Sequence, residues 1–116
     1  SGGAAVAALV AQRRHDVSML ITVAGNLDPQ AWTAHHQLSA LSGSLSPVDH
    51  LEALSEITQW HFVGKRDQVV PGQLTLQFLD RLTDGAHVHR VIMTDFDHVC
   101  CWVDAWPGLY QSTQVP

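Results

Sequence analysis

Cysteine is nearly absent: the 116 residues include only Cys100 and Cys101, side by side. Neighbours in sequence are poorly placed for ordinary disulfide geometry, so no cross-linked framework is expected and both are expected to pack as small apolar residues. Basic charge is scarce as well. Six Lys and Arg face eleven Asp and Glu, a formal net charge of -5, which leaves no cationic surface to neutralise phosphates and argues against a nucleic-acid partner. No apolar run approaches the roughly 18 residues that span a bilayer, so no membrane span is expected. Internal repeats and low-complexity tracts are missing too, which excludes a solenoid or a disordered tail. What remains, with 46% hydrophobic and 15% charged residues, is the composition of one globular domain, and small-molecule chemistry is left in better standing than nucleic-acid binding. Its compartment, cytoplasmic or periplasmic in a bacterial setting, stays open.

Along the chain the patterning alternates between helix and strand. Ala4, Ala5, Ala7, Ala8, Leu9 and Ala11 predict a helix from about Gly3 to Arg14, with Arg13 and Arg14 at its negative end. Val17 to Ala24 is apolar without alternation, the pattern of a strand buried on both faces of a parallel sheet. Residues 25–57 form a cap-like connection. Within it a short helix is predicted around Pro29 to His35, and Ser46 caps a second helix that Pro47 begins, with Val48, Leu51 and Leu54 at helical spacing. A strand over Gln59 to Val63 ends at Gly64. Pro71 and Gly72 precede a helix bearing Leu74, Phe78 and Leu82 on one face, Asp84-Gly85 turns the chain into a strand over Val88 to Met93, and a last helix covers about Cys100 to Ala105. This order predicts an α/β protein, a parallel sheet flanked by helices in three layers. Three strands make a small sheet, and Val17 to Ala24 would present an unpaired edge. More sheet is therefore expected before Ser1, or another copy covers that edge.

Candidate chemistry follows each strand. Ser1-Gly2-Gly3 runs straight into the Ala-rich helix. Gly64-Lys65-Arg66-Asp67-Gln68-Val69-Val70-Pro71 follows the second strand, and Asp95-Phe96-Asp97-His98 follows the third. A hydroxyl, a carboxylate and an imidazole are the parts of a nucleophilic triad, and parallel strands deliver all three to one sheet edge. The order Ser, Asp, His is the chain order of neither main protease family.

These motifs resemble the α/β-hydrolase fold from its nucleophile elbow onward. Ser1-Gly2-Gly3 is similar to the S-x-G half of G-x-S-x-G, the Gly64 to Pro71 stretch to the family's acid loop, and Asp97-His98 to its histidine loop. Asn26-Leu27-Asp28 with Trp32, and Cys100-Cys101-Trp102, look like a bacterial subgroup of unassigned substrate. The resemblance covers nearly the whole chain and implies the C-terminal half of a serine hydrolase acting on a carboxylic ester or related acyl substrate. Ser1 would be the nucleophile, His98 the general base, Asp67 the acid that orients it and Gly2 an oxyanion donor, without cofactor or metal. Asp28 is a rival acid, because some members take their carboxylate from the first strand's end. Trp32, Leu38 and Leu41 are candidates to line an acyl pocket. The preceding Gly-x, its strand and a second oxyanion loop lie outside these residues, so the isolated chain is expected to be inactive.

Three readings compete. Ser1 with a free α-amine could act as an N-terminal nucleophile, although those enzymes stack antiparallel sheets. His87-x-His89 with Asp95, Asp97 or His98 could hold a metal. The chain could also be a noncatalytic fragment or binding module that retains the fold.

Overall fold

Apolar strands separated by helices assemble, in the computed structural model, into a three-stranded parallel sheet of order β1-β2-β3. The structure describes residues 2–39, 43–82 and 87–114. The strands are β1 (Met19–Val23), β2 (Thr58–Gly64) and β3 (Val88–Met93), and the helices are α1 (Gly2–Arg13), α2 (Pro29–His35), α3 (Gly72–Asp80) and α4 (Trp102–Thr113), with a 3₁₀ segment over Pro47–Leu54. Val23 pairs with Phe62, and Gly64 with Met93, so all three strands end on the same rim.

Alternation along the strands sorts the core into two layers. Leu20 faces α1, the 3₁₀ segment and α3, where it packs with Ala4, Ala8, Ala11, Leu54 and Phe78. Three buried alanines on one side of α1 let its backbone lie close to the sheet. Opposite, Phe62 is fully buried under α4 with Trp102 and Trp106, and the Phe62 and Trp106 rings meet edge to face. A fully buried aromatic side chain contributes roughly 3 kcal/mol at ordinary transfer values. The result is the expected three-layer α/β arrangement.

Several boundaries differ from the sequence reading. β1 is shorter than Val17 to Ala24, because Ala24 turns to φ +49, outside the extended region. The segment begun by Pro47 has its Ser46 cap, with Ser46 Oγ accepting from Val48 N at 3.3 Å. It winds as 3₁₀ rather than α-helix, and His50 at φ -140 interrupts it. Leu82 lies beyond the end of α3 yet is buried. α4 continues eight residues past Ala105, carrying Pro107 inside it. Cys100 and Cys101 are exposed and joined to each other by a disulfide across a cis peptide bond. Their exposure corrects the expectation that both pack as small apolar residues. The predicted turn at Asp84-Gly85 lies outside the described residues. No described helix is long and apolar enough to cross a membrane.

Candidate active site

The rim where the strands end gathers the chemistry. β2 closes on Gly64, where a Cβ would stand 2.6 Å from Phe96 O and 3.0 Å from Asp97 O. Only glycine tolerates that approach, and it lets two loops run against each other. Their main chains are joined as well. Lys65 N donates to Met93 O and Arg66 N to Phe96 O, each at 2.9 Å.

Asp67 stands in the first of these loops, its side chain 1% exposed. Oδ1 accepts the Val69 and Val70 N-H groups at 2.9 and 2.8 Å. Oδ2 faces the second loop, 2.9 Å from His98 Nδ1. A carboxylate only accepts, so Nδ1 carries a proton, and in the neutral ring Nε2 then holds the lone pair. Among the described residues nothing hydrogen-bonds that Nε2, and the imidazole keeps 23% of its side-chain surface. The second loop holds itself in shape. Asp97 Oδ1 accepts Cys100 N at 2.7 Å and Val99 N at 2.8 Å, and these bonds, that from Cys100 first, hold its carboxyl below the usual range. Trp102 Nε1 donates to Asp97 O at 2.9 Å. A recess of about 430 Å³ opens beside the imidazole, lined by Arg66, Gln68, Val69, Asp97, His98 and Val99. That volume suits a small-molecule site.

Asp28, the rival acid, is occupied elsewhere. It caps α2 by accepting Ala31 N at 3.1 Å, and its other oxygen lies 3.8 Å from Arg81 Nη1. Gly2 begins α1, so its N-H is among the helix's unpaired first-turn donors. The first turn lies at the same rim, because a Cβ on Gly25, just past β1, would stand 2.5 Å from Ala4 Cβ. Ser1 and Leu41 lie outside the described residues. Leu38 is 53% exposed. Neither Leu38 nor Trp32 lines the recess beside His98; the Trp32 indole N-H instead donates to Val69 O at 2.7 Å. His36, read from sequence as an ordinary histidine of the connection, has Nε2 2.7 Å from the same oxygen. Spacing of four residues could have placed Trp32 and His36 on one helix face. Their shared main-chain acceptor leaves no signature in sequence. His89, half of the candidate metal pair, stacks on Trp60 at 4.1 Å. No group of three or more potential metal ligands occurs among the described residues.

This fold is the α/β-hydrolase fold. Three solved structures share it. TT1662 from Thermus thermophilus aligns with 96% of this chain at TM-score 0.69 and 18% identity, over 50% of its own length. A 2,6-dihydroxy-pseudo-oxynicotine hydrolase aligns with 97% at TM-score 0.69 and 18% identity, over 36% of its length. Acyl-protein thioesterase 2 from Zea mays aligns with 98% at TM-score 0.59 and 20% identity, over 52% of its length. The chain thus spans about half or less of the chains that it resembles. No family model matches it, and no curated protein matches it in sequence.

Proposed function

We propose that this chain is the C-terminal half of a serine hydrolase, with Ser1, His98 and Asp67 as its triad and a carboxylic ester or related acyl compound as substrate. The observation that carries the reading is the hydrogen bond from His98 Nδ1 to the buried Asp67 carboxylate. It leaves Nε2 as the proton acceptor beside an open recess. A structural imidazole would more often have both nitrogens engaged, as His61 does. The hydrolase and thioesterase among the chains of like fold point the same way.

The chemistry is acyl transfer to water. Ser1 Oγ attacks the acyl carbon as its proton passes to His98 Nε2, and the carbonyl oxygen becomes an oxyanion facing the Gly2 N-H. The imidazolium, stabilised by Asp67, then protonates the leaving group as the old acyl bond breaks. Water attacks the acyl-Ser1 ester with His98 again as base, releasing the acid and restoring the serine. Residues 25–57 would cap the site.

An organophosphonate probe on the complete protein tests this. It should label Ser1 covalently, and Ser1→Ala should abolish labelling and lower ester turnover by about four to six powers of ten. Turnover that survives in Ser1→Ala would refute the mechanism, and absence of both labelling and turnover in the wild type would return the chain to the noncatalytic reading.

A further inference from the structure

We infer that Trp32 and His36 are positioning residues for Asp67, acting through the peptide group between Val69 and Val70; this rests on the triad reading above. That one peptide is held at both ends. Its oxygen, Val69 O, receives the Trp32 indole N-H and lies at the same 2.7 Å from His36 Nε2. Its N-H, that of Val70, donates to Asp67 Oδ1 at 2.8 Å.

Donor inventory makes the arrangement directional. A carbonyl oxygen has two lone pairs and only accepts, and an indole N-H only donates. His36 Nε2 must therefore carry its proton toward Val69 O, which uses both lone pairs. Two donors on a peptide oxygen polarise the N-H at the other end of the same group, which strengthens its bond to the carboxylate. Oδ1 is thereby fixed, and Oδ2 stays turned toward His98.

α2 is anchored for this task. Asp28 caps it, Arg81 lies beside that carboxylate, and the Trp32 and His36 rings pack at 5.0 Å on one face of the helix. A short helix in a long connection thus reaches across to the acid loop. The route runs from α2 to the 69-70 peptide, to Asp67, to His98. Neither Trp32 nor His36 lines the recess where substrate would sit.

The test uses the complete protein and two double variants, W32F/H36L, which removes both donors, and W32F/H36Q, which keeps one. The direct readout is nuclear magnetic resonance of the His98 Nδ1 proton, assigned against His98→Gln, and of the Val70 amide. In W32F/H36L the Nδ1 proton should broaden or disappear through solvent exchange and the Val70 amide should move upfield. Ester turnover should show kcat reduced about tenfold to a hundredfold with KM unchanged, the pattern of a displaced acid. W32F/H36Q should recover most of both signals. Unchanged His98 and Val70 signals in folded W32F/H36L would overturn the inference, and so would a rise in KM alone. The resonance readout needs no turnover, so failure of the hydrolase reading, seen as turnover surviving Ser1→Ala, is distinguishable from failure of this one.

Discussion

Two histidines show how environment divides one side-chain type between roles. His98 bonds one nitrogen to Asp67, and no described residue bonds the other, which lies at a recess, whereas His61 is fully buried with both nitrogens engaged. Thr22 Oγ1 is 2.6 Å from His61 Nδ1, His61 Nε2 is 2.9 Å from Gln59 Oε1, and Gln59 Nε2 donates to Leu54 O at 2.7 Å. Because Gln59 spends its amide on Leu54, its oxygen faces His61, so Nε2 donates and Nδ1 accepts from Thr22. The ring is neutral. Burial, with Arg90 nearby, pushes its pKa from 6.5 down to about 4. Between those two values the unfolded chain takes up a proton that the folded chain resists. Stability is therefore full above the unfolded value and falls as pH drops toward about 4, by roughly 3 kcal/mol in all. Urea midpoints at pH 7 and pH 5 should differ more for the wild type than for His61→Gln, and equal differences would remove His61 as the cause. At the other histidine, Asp67→Asn should keep the fold, since Oδ1 can still accept its two main-chain bonds. Ester turnover should nonetheless fall by about 10³ to 10⁴, because the histidine loses its fixed tautomer.

Among the elements, the meeting of the two loops is the sensitive point. Gly64→Ala would drive a methyl group into Phe96 O, so the histidine loop must move away from Asp67. The expected cost is about 2 kcal/mol in urea denaturation, as for other overpacked sites, with loss of organophosphonate labelling. A variant with wild-type stability and labelling would show that the contact relaxes freely. Much at this scale was legible in sequence. Val88–Met93 and Pro29–His35 have the predicted bounds, the first from the turn signal Asp84-Gly85 ahead of it and the second from Pro29 at the start of a helix. The meeting of the Asp67 and His98 loops follows from parallel strands, each with its loop at the same end. What was not legible depends on tertiary contact. Pro107 and Gly108 both signal a helix end, yet α4 passes through them because Trp106 and Leu109 pack against the sheet. Val48, Leu51 and Leu54 fit either a 3₁₀ or an α-helix over so short a stretch. Asp28 looked like a candidate acid because a cap and an acid both call for a carboxylate just past a strand.

At the scale of the molecule, the radius of gyration of 13.7 Å is close to the roughly 13.4 Å expected of a globular domain of this length. Compactness is in place. The sheet, however, has β1 at one edge with pairing described only toward β2. Within its apolar run MLITV, Met19, Ile21 and Val23 are only half-buried. An open apolar edge is a template for another strand. The 116-residue chain by itself is therefore expected to self-associate, and sedimentation velocity should show mass rising with concentration; a single monomeric species at all concentrations would contradict this. The far side of the sheet behaves differently, because the main-chain bonds from Lys65 and Arg66 run to the last residue of β3 and into the loop after it. Neither loop can swing out without the other. In deuterium uptake, the amides of Lys65, Arg66 and Val70 should lose protection together, with one shared opening free energy, so Asp67 and His98 would detach as a unit rather than one after the other.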